Sequence, residues 1–161
     1  MKGGGPLERA IGSLLRARGY RLALAESCTG GLLGHRVTNV AGSSDYFERG
    51  VVTYSNGAKT DLLGVPPETI AAHGAVSEPT ARAMAEGILR KSRAQVSVAI
   101  TGIAGPSGGS PEKPVGTVFV AVAGPGGTRC QRRQFRGERE SIKEQSTEAA
   151  LALLRDYLEE G

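Results

Sequence analysis

A chain of 161 residues, 39% hydrophobic and 22% charged, is sized and balanced for a single globular domain over residues 1–161, and those proportions exclude a disordered protein. No apolar run approaches the ~20 residues of a bilayer-spanning helix, and residues 1–6 lack the apolar core of a signal peptide. The net charge of +4 directs attention to an anionic partner.

Leu7, Ile11, Leu14 and Leu15 are spaced as the stripe of a first helix that ends near Arg18 and Gly19. Residues 22–25 form a short apolar run suited to a buried strand, which delivers the chain into Glu26-Ser27-Cys28-Thr29-Gly30-Gly31. A second helix is expected from there to about Val40, followed by turn chemistry over 41–45. Residues 50–54 read as a strand, and Ser55-Asn56 opens a helix carrying Lys59, Leu62 and Leu63. Pro66 and Pro67 end that helix and start a shorter one that stops at His73-Gly74. Ser77, with Pro79 in the first turn, is a good helix start. The repeat Ala81, Met84, Ala85, Ile88, Leu89 then follows the amphipathic template. Residues 96–100 are a strand, and 101–114 a Gly/Pro/Ser loop of a length that is usually functional. The apolar strand 115–123 turns at Pro125-Gly126-Gly127 into the basic strand 128–135, an antiparallel hairpin. A last helix from about Glu138 buries Ile142, Ala149, Leu153, Leu154, Tyr157 and Leu158.

Strands alternating with helices, then a hairpin and a closing helix, predict an α/β protein: a three-layer α/β/α sandwich around a mixed, mostly parallel sheet. Ligands in such sheets bind beyond the carboxyl ends of the strands, where segments 27–31, 54–59 and 101–109 are expected. Two motifs in the third segment are decoys. Gly105-Pro106-Ser107-Gly108-Gly109 has the spelling of a nucleophile elbow but lacks the strand leading in and the helix leading out. Ser110-Pro111-Glu112-Lys113 has a Ser-x-x-Lys spacing, but Pro114 disfavours the helical turn that would bring the two side chains together.

Ser27 follows a buried strand and precedes a helix, so the N–H groups of Thr29, Gly30 and Gly31 are placed to meet an anion or a developing oxyanion. Residue physics leaves two readings, a nucleophile or a helix cap. Lys59 lies about one turn into the helix after Tyr54, from where it can reach back toward the tyrosine hydroxyl. It reads as a base for a serine or as a solvated lysine. The arginines at 129, 132, 133, 136 and 139 read as an exposed basic edge strand, with one arginine reaching an anionic ligand. Aromatics at only 4% leave few stacking platforms, so nucleic acid is not the expected partner. Cys28 and Cys130 form no metal or redox motif and read as reduced thiols of a cytoplasmic protein; with two histidines in the chain, no zinc site is expected.

Five segments, in order, carry a resemblance: Ala25-Glu26-Ser27-Cys28-Thr29-Gly30-Gly31, Gly50-Val51-Val52-Thr53-Tyr54-Ser55-Asn56, Gly74-Ala75-Val76-Ser77-Glu78, Thr101-Gly102-Ile103-Ala104-Gly105-Pro106 and Lys113-Pro114-Val115-Gly116-Thr117-Val118. Together they resemble the CinA C-terminal-domain family over residues 7–158. The resemblance implies a nicotinamide-nucleotide amidohydrolase. Such an enzyme converts nicotinamide mononucleotide to nicotinate mononucleotide and ammonia, returning pyridine rings to NAD synthesis. Carried over by motif, the nucleophile is Ser27, with Tyr54 and Lys59 as its partners. Thr29, Gly30, Gly31, Asn56, Thr101, Gly102, Gly105 and Arg139 then fall in the substrate pocket. The implied chemistry calls for no metal or cofactor, and the pyrophosphatase activity of longer CinA proteins is not expected. Nicotinamide mononucleotide is the expected small-molecule partner, with a homodimer through exposed elements. The alternatives are a non-catalytic nucleotide-binding module and an accessory protein of competence or damage responses.

Overall fold

In the computed structural model, residues 4–160 are described; Met1, Lys2, Gly3 and Gly161 lie outside them, so the reading of residues 1–6 is only partly covered. The elements in chain order are α1 (Pro6–Arg18), β1 (Leu22–Glu26), α2 (Leu32–Thr38), a 3-10 turn (Ser43–Asp45), β2 (Phe47–Val52), α3 (Asn56–Leu63), α4 (Pro67–His73), α5 (Glu78–Arg90), β3 (Val96–Gly102), β4 (Thr117–Gly124), β5 (Gly127–Gln134) and α6 (Arg139–Glu160). The strands form one sheet in the order β2-β1-β3-β4-β5. The β1–β2 and β1–β3 pairings are parallel, β3–β4 and β4–β5 antiparallel. Only β4 therefore runs against the rest, and the expected mixed α/β architecture stands.

The strand sequences explain the layering. Successive side chains of a strand point to opposite faces. In 22–25 (Leu-Ala-Leu-Ala) and 118–123 (Val-Phe-Val-Ala-Val-Ala), larger and smaller residues largely alternate. Leu22, Leu24, Val98, Ile100, Val120 and Val122 pack on one side against Ile11 and Leu15 of α1, Leu33 of α2, and Ile142, Leu151 and Leu154 of α6. The opposite side presents Ala23, Ala25, Ala99, Ala121 and Ala123 to Met84, Ala85 and Ile88 of α5 and to Leu63 of α3. Alanines on that face let α5 lie close to the sheet. Gly87 carries the same theme further, since a Cβ there would fall 1.9 Å from the Leu63 carbonyl oxygen.

Local signals place the helix ends well. Ser77 accepts from the Thr80 amide as the cap of α5, and Pro67 starts α4. The strand ends shift more. β2 runs from Phe47 to Val52 rather than over 50–54, so Tyr54 stands beyond the strand. It is an edge strand with half-exposed residues and no apolar alternation, which left its start without a pattern to read. β3 continues to Gly102 because Thr101 and Gly102 pair with Phe119 and Val118. Helix α2 begins at Leu32, with Gly31 as its cap, so Ser27 does not cap it. β5 is the basic edge strand that was expected. Among the described residues, no helix is long and apolar enough to cross a membrane.

Candidate active site

Parallel pairing brings three chain segments side by side at the carboxyl end of the sheet. Glu26 is in register with Val52 on one side and Ile100 on the other. The next residues follow suit: the Ser27 amide donates to the Ile100 carbonyl at 3.0 Å, and the Thr53 amide to the Glu26 carbonyl at 2.8 Å. Ser27, Thr53 and Thr101 thus form a row, all of them buried.

Behind this row lies Lys59, whose side chain is only 1% exposed. Ser55 caps α3 by accepting from the Ala58 amide, which places Asn56 in the first turn and turns Lys59 inward. The Lys59 Nζ stands 3.1 Å from Ser27 Oγ, 2.8 Å from the Thr53 carbonyl oxygen and 3.5 Å from that of Tyr54. Among the described residues, no carboxylate pairs with it. Desolvation by burial lowers its pKa from the ordinary value, because a charge without a counter-ion is costly there. The contact with Tyr54 is to the main chain. The tyrosine hydroxyl points elsewhere and accepts from Arg139 at 3.0 Å.

Glu26 is the residue that sequence reasoning passed over. Its carboxylate, 3% exposed, accepts from the Thr29 hydroxyl at 2.6 Å and from the amides of Gly31, Leu33 and Gly34 at 3.1, 3.0 and 2.9 Å. Gly30 and Gly31 adopt left-handed φ values of 60° and 108°, which turn the loop around the carboxylate at no Cβ cost. The amino end of α2 is therefore filled by an internal anion. Gly30 N–H is also committed, to the Ser27 carbonyl oxygen at 3.1 Å. The amides of Cys28 and Thr29 have no acceptor among the described residues. The available signal was an acidic residue ending an apolar strand just before a glycine-rich turn.

Ser27 and Lys59 open onto a cavity of about 220 Å3, also lined by Tyr54, Thr101, Gly102, Gly105 and Arg139. Cys28, Ala75, Val76, Ile103, Ala104 and Ser107 complete its wall. Burial pushes the Cys28 thiol up to about 11, which keeps it protonated beside the serine. Arg139, the first residue of α6, bridges the rim by donating to the Gly105 carbonyl oxygen and to the Tyr54 hydroxyl. Thr29 and Gly31 are hydrogen-bonded to Glu26, Gly30 is exposed on the same turn, and none of the three lines the cavity. Asn56 belongs to a separate groove between α3 and α4. Ser107 is an exposed loop residue with no base beside it among the described residues, and Lys113 Nζ donates to the His73 carbonyl oxygen at 2.9 Å instead of reaching Ser110 Oγ. Neither decoy assembles.

The family model of the CinA C-terminal domain matches residues 5–158. A CinA-like protein of Syntrophobacter fumaroxidans is 58% identical over 148 residues, which cover 92% of this chain and 35% of that protein. The chain thus spans about a third of the length of the curated relatives it matches. Among solved structures, a CinA superfamily protein of Klebsiella pneumoniae superposes with a TM-score of 0.92 at 40% identity, covering 96% of this chain and 97% of that one. The competence/damage inducible protein CihA of Agrobacterium tumefaciens gives 0.91 at 42% identity, covering 99% of each chain.

Proposed function

The chain belongs to the CinA C-terminal domain family, and we propose that it hydrolyses the carboxamide of nicotinamide mononucleotide, giving nicotinate mononucleotide and ammonia with Ser27 as nucleophile. One observation carries this reading: a buried lysine with no carboxylate partner among the described residues holds its nitrogen 3.1 Å from a serine oxygen on the wall of a cavity. A neutral lysine amine has two N–H bonds and one lone pair. The carbonyl oxygens of Thr53 and Tyr54 can only accept, so they take the two N–H groups. The lone pair then faces the one neighbour able to donate, the Ser27 hydroxyl.

The steps follow from that arrangement. As Ser27 Oγ bonds to the carboxamide carbon, its proton passes to Lys59 Nζ. The carbonyl π electrons move onto oxygen, where the uncommitted amides of Cys28 and Thr29 are the available donors. Collapse of this intermediate breaks the C–N bond, and the Lys59 ammonium returns its proton to the departing nitrogen, releasing ammonia. Neutral Lys59 then takes a proton from water, whose oxygen attacks the acyl ester. Breaking the ester bond frees nicotinate mononucleotide and restores the Ser27 hydroxyl. Tyr54 serves through its carbonyl on Lys59 and through its hydroxyl at the rim. Arg139, Thr101, Gly102 and Gly105 shape the pocket around the nucleotide.

The test is ammonia release from nicotinamide mononucleotide, with Ser27→Ala expected to reduce it to background while the fold is retained. Activity surviving in Ser27→Ala would reject the serine. The similarity to the competence/damage inducible protein of Agrobacterium, with the exposed Arg132 and Arg133 of β5, favours a second reading as an accessory domain at DNA or RNA. That reading requires nucleic-acid binding that weakens steeply with salt.

A further inference from the structure

In many α/β folds a phosphate sits on the amino end of a helix. Here Glu26 already occupies the amino end of α2 with its own carboxylate, so that helix end is closed to a substrate's phosphate and nearby cationic side chains are the next candidates. The first turns of α6 carry two cations, Arg139 on the cavity wall and Lys143 beyond it. They are four residues apart and so on one face of the helix. Arg139 is committed to Gly105 and Tyr54. Lys143 is half-buried, and among the described residues its ammonium has neither a hydrogen bond nor an ion pair. Its Nζ comes within 3.9 Å of where a Cβ on Gly30 would stand, which sets it over the glycine turn that follows Ser27. It is also close enough to oppose the burial-driven rise of the Cys28 thiol, and Cys28 lines the cavity. Like charges one turn apart repel, and an anion seated between them would relieve that repulsion.

We propose that Lys143, with Arg139, forms a subsite for the phosphate monoester of the substrate at the mouth of the Ser27 cavity. The inference rests on the reading of that cavity as a nucleotide amidase site. Lys143 is a binding and specificity residue in it; the bond-breaking steps do not involve it.

The experiment compares wild type, Lys143→Met, Lys143→Arg and, as a charge-matched control on an exposed position away from the site, Lys91→Met. Two readouts are taken at low salt. The first is direct binding of inorganic phosphate by titration calorimetry. The second is the preference, in kcat/KM, for nicotinamide mononucleotide over its dephosphorylated riboside. Lys143→Met should weaken phosphate binding about tenfold and narrow the preference about tenfold, mainly through KM, the size of one lost charge-assisted hydrogen bond. Lys143→Arg should recover most of both, and Lys91→Met should match wild type. Phosphate binding that is absent from wild type, or equal in Lys143→Met, overturns the subsite. If no variant releases ammonia from either amide, the amidase reading fails by itself, and the phosphate titration still decides the subsite.

Discussion

Two ionisable side chains are buried on either side of Ser27, and their surroundings are opposite in kind. Glu26 is surrounded by donors, three amides and a hydroxyl, so its negative charge is satisfied in place. Lys59 meets only neutral acceptors, two carbonyls and the Ser27 hydroxyl, and no carboxylate among the described residues. A buried ion with a full complement of hydrogen bonds acts as a fixed structural charge; one without a counter-ion is driven toward its neutral form. The first pocket holds the loop in shape. The second leaves a proton free to move, and perturbed groups of that kind concentrate at functional sites.

The largest test of this contrast is Lys59→Met. Hydrolysis should fall by about 10²–10⁴-fold, the usual share of a general base, with the fold retained. Because burial lowers the Lys59 pKa below its ordinary 10.5, the wild-type rate should climb with pH as the ammonium deprotonates, then level off before that value. Stability carries the same sign. Between the folded pKa and the unfolded one the unfolded chain binds more protons, so stability rises with pH and is lost as pH falls through the folded pKa. Both the rate limb and this stability slope should vanish in Lys59→Met. A rising limb that persists unchanged in Lys59→Met would mean that Lys59 is no base.

Glu26→Gln probes the other pocket. An amide offers one acceptor oxygen and turns an N–H₂ group toward donors, so at least one charge-assisted hydrogen bond is lost. The expected cost is roughly 2–3 kcal/mol of folding stability, read from denaturant midpoints, with activity falling because the Ser27 loop loosens. Unchanged stability would remove the distinction between a structural and a chemical charge. At the rim, Arg139→Ala should cost about 1–3 kcal/mol in kcat/KM. Arg132→Glu, on the exposed β5, should change hydrolysis by less than about 0.5 kcal/mol, since solvated charges are screened beyond about 8–10 Å. Equal effects at the two arginines would argue for a shared binding surface and against a pocket confined to the end of the sheet.

Legibility followed the range of the interactions involved. The ends of α4 and α5 were readable because Pro67, Gly74 and Ser77 act on their own turns. Both β1 and β4 were readable from apolar runs. Ser27 was recognisable as a candidate from its place between a strand and a helix. Its second possible role, as a helix cap, was removed only by the structure, which starts α2 at Leu32. The expected contact between Lys59 and the Tyr54 hydroxyl also changed form. A lysine one turn into α3 can reach back toward Tyr54, but the tyrosine lies beyond the end of β2 and is 61% exposed, so its hydroxyl meets Arg139.

What the chain's order of residues determined by itself was the set of elements, the alternation of larger and smaller residues that layers helices on both faces, and the residue types available for acyl transfer. These depend on neighbours within a turn or a strand. The tertiary structure alone decided which of those residues meet. Ser27 and Lys59 are 32 residues apart, and their contact exists because β1 and β2 pair in parallel with Glu26 beside Val52. The same register leaves Lys59 among carbonyls, whereas Glu26 meets the amides of α2 through the local turn at Gly30 and Gly31. Hydrogen bonding between strands fixes that register, and no local pattern records that Lys59 will be left beside Ser27 without a counter-ion.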